Sequence, residues 1–526
     1  MKRFLMPVLF FWLSVFALQA QTTSHPIKAP LRNDFQGILE FLSSDFMEGR
    51  EAGTRGGSMA AAYIASMMQL NGLMPYGDVE QELKPGSLLK KSYFQNFTMI
   101  RCHVEKSSLA LIRNSAEGES ALLFVPGSNY KIDAVPFGRE GVASVIYTGY
   151  GIEAPGKGYN DYAGLDVRNR VVVILDGYPG HSDTTSFARK KLGSSFEEDF
   201  GSLKMKLKTA ERHGAAAVVF IDPKVLKSSG NLPLTEDEDE DNPSHYLPGD
   251  TAKTEIPCFR LGTDATIKLL EGSGIDLAGF EKKAANDLSP SSGLIREKKL
   301  RFSVAIRSEV VIIQNVLGII PGIDTTRNVI VGGHFDHLGI RKGAVYNGAD
   351  DNASGVAGML ALSKVWANHH QKPACNIIFA AWTGEEKGKL GSTNFARNSP
   401  VVPARVSLVI NMDMISRSAP EDSAGRQLSI GTMTINEDLR NMAKKSNSKL
   451  KQPLILDLWD VTGHSGSDYA PFKARKVPIV TFHAGFPDEY HTPLDDASRA
   501  DPGKMEKILK IVNDFILLGT ENPPTR

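Results

Sequence analysis

The chain is predicted to fold as an α/β sandwich on a mostly parallel central sheet. Two observations carry that prediction. From about Ile295 onward, short apolar runs alternate with helical patterns, as strands and helices do when a sheet is covered on both faces. Polar residues with catalytic chemistry then fall just past the carboxyl ends of those runs, where open α/β sheets gather ligands. A third feature extends the picture. With 526 residues the chain exceeds one ordinary domain, and its texture changes between about Ser120 and Leu288.

The first segment reads as a secretory signal peptide over residues 1–20. Met1-Lys2-Arg3 is basic, Phe4 to Leu18 is almost wholly apolar, and Ala20 offers a small residue for cleavage. The apolar run is shorter than the ~20 residues of a membrane span, and no later segment is long and apolar enough to cross a bilayer. The expected location is therefore secreted or periplasmic. Residues 21–119 read as the N-terminal part of a catalytic domain. Met59, Tyr63, Met67 and Leu70 recur at helical spacing and Asn71-Gly72 supplies a C-cap, after a polar glycine-rich loop from Met47 to Gly56.

Residues 120–294 read as an inserted β-rich module. Val142 to Thr148, Val171 to Leu175 and Ala216 to Ile221 are strand-like, and a helix from Leu203 to His213 stops at Gly214. The acidic run Glu236 to Asp241 reads as a solvated loop. Residues 295–526 then alternate. Strands are expected at Val310 to Ile320, Asn328 to Gly333, Asn376 to Trp382, Val406 to Met412 and Pro478 to Phe482. An amphipathic helix is expected from Ser354 to His370, and a last helix opens with Asp501 as N-cap and Pro502 in its first turn.

Bulk composition excludes some functions. Net charge is zero, so nothing argues for nucleic acid as a partner. The three cysteines, Cys102, Cys258 and Cys375, form neither a disulfide framework nor a CxxC pair, so a bound metal must be held by His and carboxylates. Gly384 to Lys389 is not a phosphate loop. Three residues rather than four separate its glycines, and Leu390 stands where Ser or Thr should follow Lys.

Six residues supply what a binuclear metal hydrolase needs. They are His334, Asp351, Glu385, Glu386, Asp413 and His491. Two imidazoles and three carboxylates can bind two borderline cations, with one carboxylate left to move protons. His337, His464 and His483 read as core or supporting residues.

The segments Gly333-His334-Phe335-Asp336-His337, Gly348 to Gly355, Gly384-Glu385-Glu386-Lys387-Gly388, Asn411-Met412-Asp413 and Tyr490-His491-Thr492-Pro493 resemble the co-catalytic dizinc aminopeptidase family. That family includes bacterial leucyl aminopeptidases, glutamate carboxypeptidase II and the glutaminyl cyclases. Residues 120–294 are similar to a protease-associated domain, through Tyr159-Asn160-Asp161-Tyr162 followed by Val171 to Leu175. The resemblance implies a zinc-exopeptidase-like three-layer sandwich and peptide substrates. It makes Asp351 the carboxylate bridging two Zn²⁺ ions, with Co²⁺ or Mn²⁺ as possible substitutes. His334 and Asp413 would complete one site, Glu386 and His491 the other. Glu385 would be the general base, Asp336 would orient His334 through its second ring nitrogen, and Tyr490 would face the oxyanion. Ser467, Asp468 and Tyr469 would form a pocket wall. An aminopeptidase is the leading expectation. A carboxypeptidase or dipeptidase would need a cation for a free carboxylate, for which Arg50 and Arg55 are candidates. Glutaminyl cyclase and a non-catalytic binding module are the other readings.

Overall fold

The structure, a computed structural model, describes residues 27–79, 90–115, 118–133, 137–193, 196, 200–226, 243–250, 255–399 and 401–524. The signal segment 1–20 and the acidic run Glu236 to Asp241 lie outside the described residues.

The strands that organise the molecule are, in chain order, β1 (Phe94–Ser115), β2 (Arg139–Tyr147), β3 (Val171–Leu175), β4 (Ala217–Ile221), β5 (Cys258–Leu261) and β6 (Gly293–Ile320). They continue with β7 (Asp324–His334), β8 (Cys375–Trp382), β9 (Val406–Met412), β10 (Gln427–Thr432), β11 (Ile455–Asp460) and β12 (Ile479–His483). One hydrogen-bonded sheet runs β11-β10-β12-β9-β7-β8-β6-β2-β3-β4-β5. Strands β8, β7, β9 and β12 pair in parallel, and so do β2, β3, β4 and β5. The expected mostly parallel sheet is observed. Every residue of β8, β9, β3 and β4 is buried, as a sheet covered on both faces requires.

Alternation along the strands makes the three layers. Val329, Val331, Ile377, Phe379, Leu408 and Ile410 pack with helices α1 (Arg32–Leu42), α2 (Arg55–Leu70), α4 (Gly355–Ala367) and α5 (Pro502–Glu521) in one core. Ile330, Ile378, Ala380 and Val409 point the other way, into a second core with Phe395 and Phe472. Helix α4 departs from its expected amphipathic form. Val356, Ala357, Met359, Leu360, Ala361 and Leu362 are all buried, so it is a core helix rather than a surface one. The last helix begins as expected, with the Asp501 side chain accepting the N–H of Lys504.

A separate core is drawn from Leu109 to Val304 and includes Val145, Val173, Val219 and Phe259. This region is α/β rather than purely β, with helix α3 (Leu203–Arg212) between β3 and β4. The two long strands β1 and β6 pair antiparallel from Phe94–Val316 to Arg113–Lys298 and join the two parallel sets into one sheet.

Candidate metal centre

Strand ends deliver the predicted residues to one place. His334 is the last residue of β7, Glu385 and Glu386 follow β8 across Thr383-Gly384, and Asp413 follows β9. Asp351 lies in the turn before α4. That turn needs Gly348 in the left-handed region (φ 55°). A Cβ there would lie 2.2 Å from the Asp351 carbonyl and 2.5 Å from the His337 ring.

The side chains form two donor groups that share Asp351. His334 Nε2 is 3.3 Å from Asp351 Oδ1 and 3.3 Å from Asp413 Oδ1. His491 Nε2 is 3.1 Å from Asp351 Oδ2 and 3.3 Å from Glu386 Oε2. The five residues therefore meet around Asp351. A third imidazole meets them too. His337 Nδ1 is 2.8 Å from Glu386 Oε1 and 3.8 Å from Asp351 Oδ2. By tight clustering of donor atoms, the second set is His337, Asp351 and Glu386. His491 reaches both carboxylates within 3.3 Å and His337 reaches one at 2.8 Å, so two imidazoles stand against the Asp351–Glu386 pair.

The arrangement fits a divalent metal pair. Nitrogen and oxygen donors of this mix suit zinc.

Protonation is set by competition between burial and contact. Burial alone would raise Glu386, but hydrogen bonds from His337 and His491 overcome it and hold the carboxyl well below its ordinary range. Asp351 is likewise lowered against burial and the Glu386 charge, by His334 and His491. Glu385 goes the opposite way. Burial and the nearby Asp468, Glu386 and Asp413 charges push it well above the usual range, against the pull of His334. Two adjacent glutamates thus have opposite proton affinities, the mark of divided labour.

Surrounding groups fix the geometry. The expectation for Asp336 needs correction. Its carboxylate is 3.9 Å from His334 Nδ1, and its main-chain carbonyl, at 3.1 Å, accepts from that ring instead. The Asp336 side chain accepts the N–H groups of Glu385 (3.1 Å) and Glu386 (3.4 Å), so it aims the glutamate pair. Asp495 accepts the N–H groups of Asp350 (2.8 Å) and Asp351 (3.0 Å). Asp350 accepts from Ser416 N–H and Oγ, both at 2.8 Å, tying the Asp351 turn to the loop after β9. Neither Asp350 nor Asp495 was given a role from the sequence, although Asp350 lies within the Gly348 to Gly355 motif and Asp495 two residues past Pro493.

Arg50 is 0% exposed and donates to the carbonyls of Phe335 (2.7 Å), Leu42 (2.5 Å), Asn347 (2.6 Å) and Gly348 (2.8 Å). It clamps the His334 and Asp351 loops together. Burial lowers it to about 10 against the attraction of Asp495, Asp351, Asp336 and Glu386. Arg55 pairs with Glu48 (2.7 Å) on the surface.

A cavity of about 470 Å³ opens over the centre. Ser467, Tyr469, Tyr490, His464 and His483 line it. Ser467 Oγ accepts from Asn411 (2.9 Å), and Tyr490 stacks on His491 with ring centroids 3.8 Å apart. Asp468 is buried beneath the wall rather than in it, and burial raises its carboxyl to about 6.

Comparison with known proteins agrees with this geometry. Residues 315–516 match peptidase family M28. The similarity to M28 peptidases covers this region. Over 135 residues the chain is 33% identical to a probable zinc metalloprotease of Pyrenophora teres f. teres (strain 0-1), covering 24% of this chain and 28% of that protein. It is 28% identical over 220 residues to a glutamate carboxypeptidase 2 homolog of Caenorhabditis briggsae, covering 36% and 26%. The chain spans between 23% and 28% of the length of the first three curated relatives it matches. Its fold is similar to an aminopeptidase from Aneurinibacillus sp. strain AM-1, with a TM-score of 0.59 and 18% identity over 95% of this chain and 96% of that one. The M28 stretch begins within β6 and ends within α5, so it spans all five ligands and Glu385.

Proposed function

We propose that the protein is an exported zinc aminopeptidase that releases residues from peptide amino termini. The observation that carries the reading is the pair of donor sets sharing Asp351 beside a separate Glu385 of raised proton affinity, under a cavity lined by no Lys or Arg among the described residues. A carboxypeptidase must neutralise a free carboxylate. Both sequence candidates for that task are otherwise engaged, Arg50 on four buried carbonyls and Arg55 on Glu48. The lining, acidic and without Lys or Arg among the described residues, suits a cationic amino terminus instead.

His334, Asp351 and Asp413 would hold one zinc ion; Asp351, Glu386 and His491 the other. When bound, the pair would supply Lewis-acid polarisation of the scissile carbonyl and lower the pKa of an attacking water. Glu385, aimed through its N–H by Asp336, accepts the water's proton and returns it to the leaving amine. A group whose proton affinity lies above the ordinary carboxylate range is suited to both halves of that transfer. Tyr490 is 37% exposed at the cavity wall, and its hydroxyl, held protonated by burial and the surrounding carboxylates, donates to the oxyanion. Export rests on the basic and apolar start of the chain. Residues 120–294 are proposed as a protease-associated-type module that shapes access to the cleft.

A set of free and N-blocked peptides, assayed before and after chelation, tests the reading. Metal-dependent release of free amino acid from unblocked amino termini alone is expected. Release from the carboxyl end, or pyroglutamate with ammonia, would replace it.

A further inference from the structure

Strands β10, β11 and β12 build the cavity floor, and their register places side chains in two transverse rows. Ser429 of β10 pairs with Asp457 of β11 and with His483 of β12. Two residues on, Gly431 pairs with Trp459 and with Thr481. Residues two apart on a strand share a face, and Asp457, Ser429, His483, Trp459 and Thr481 all line the cavity. Gly431 is the exception that shapes it. A Cβ there would lie 2.6 Å from Trp459 Cζ2 and 2.8 Å from Thr481 Cγ2, so only glycine lets the indole lie across the middle strand.

Beside the indole, two residues earlier on β11, stands a carboxylate whose charge is unmatched locally. Asp457 is exposed to solvent, and one of its oxygens accepts from Ser429 Oγ at 3.0 Å. Among the described residues no cation lies within ion-pair distance of it, and no Lys or Arg lines the cavity. The floor thus sets an aromatic plate and a negative charge side by side. An apolar stem with a cationic head matches that pair, because a Lys or Arg side chain packs its methylenes, or its guanidinium, on an indole face and carries its charge to a carboxylate.

We propose that Asp457 and Trp459 form a subsite selecting peptides whose amino-terminal residue is Lys or Arg. The inference rests on the aminopeptidase reading and names its substrate class. The carboxylate is exposed, so it contributes what one solvated ion pair does, about fivefold in discrimination, and salt weakens it.

The test uses the zinc-loaded full chain and Lys-, Arg-, Leu- and Glu-anilides. The wild type is expected to favour Lys and Arg over Leu in kcat/KM, with the ratio compressing as salt rises from about 0.05 to about 0.5 M. Asp457→Asn keeps the Ser429 hydrogen bond and the side-chain shape, and should lower the Lys-to-Leu ratio about fivefold and abolish its salt dependence. Asp457→Lys should shift preference toward Glu. Turnover of Leu-anilide with no Lys or Arg advantage, or an unchanged ratio in Asp457→Asn, overturns the subsite and leaves the aminopeptidase reading standing. Failure to cleave any of the four overturns that reading and the subsite with it.

Discussion

Asp161, beside the core drawn from Leu109 to Val304, and Asp351, at the candidate metal centre, are both buried carboxylates, and their surroundings differ in one decisive way. Asp161 accepts the Ile152 N–H (3.0 Å) and the Tyr159 hydroxyl (2.7 Å). The buried Lys206, which donates to the carbonyls of Leu175 and Gly177, attracts it through space. One carboxylate faces one ammonium, and the hydrogen bonds close. Around Asp351, carboxylates of Glu385, Glu386, Asp413, Asp336 and Asp468 crowd within one electrostatic neighbourhood. The buried cation nearby, Arg50, spends its donors on carbonyls. Burying charge costs several kcal/mol per ion unless it is paired. The Asp161 cluster is complete as folded; the Asp351 cluster, on the function proposed above, would be completed by metal. A buried acidic cluster points to a ligand when its charge exceeds what its own side chains can neutralise.

The largest expected effect removes the shared ligand. Asp351→Ala should lose both ions together, because one side chain serves both donor sets, and activity should fall by about 10³-fold or more. Metal analysis after dialysis checks it. Two tightly held ions in the variant would show that the sets are independent. The next effect separates charge that holds metal from charge that moves protons. Glu385→Gln should keep the metal content and lose about 10²–10⁴ in kcat. An unchanged rate would remove Glu385 from proton transfer and leave Glu386, His337 and the ligand set to be reconsidered.

Much of this centre was legible because strand ends mark it. His334, Glu385, Glu386 and Asp413 each follow an apolar run, and a reader who knows where parallel strands put their ligands can place them. The supporting groups were not legible, because long-range contacts define them. Arg50 finds its acceptors 285 to 298 residues away, at Phe335, Asn347 and Gly348, and nothing around it in sequence announces burial. His337 looked like a core histidine until β7 and the β8 loop brought it to Glu386. Strands β10 and β11 escaped notice for a related reason. Their cavity-facing Ser429, Asp457 and Trp459 are partly exposed, so the apolar alternation that signals a strand is broken where substrate space begins. The joining strand β6 was foreseen only from Val310, since its first half alternates exposed charges with buried apolar residues.

The smallest expected effect sharpens the other side of the comparison. Burial raises Asp161 to about 7 despite the hydrogen bonds and the Lys206 charge that oppose it. Between the ordinary carboxylate value near pH 4 and about pH 7, the unfolded chain releases this proton while the folded chain keeps it. The folded state therefore loses stability as pH rises through that window, and the loss levels off above it. Asn cannot titrate, so Asp161→Asn should remove that part of the slope, whatever constant cost its amide adds opposite the Ile152 N–H. Melting temperatures at pH 5 and pH 8 on the metal-loaded protein give the check. The wild type should fall more than the variant by roughly 2 °C or more. Equal slopes would mean that Lys206 holds Asp161 ionised throughout, and that the Asp161 cluster is a true ion pair, closed by charge rather than by a shared proton.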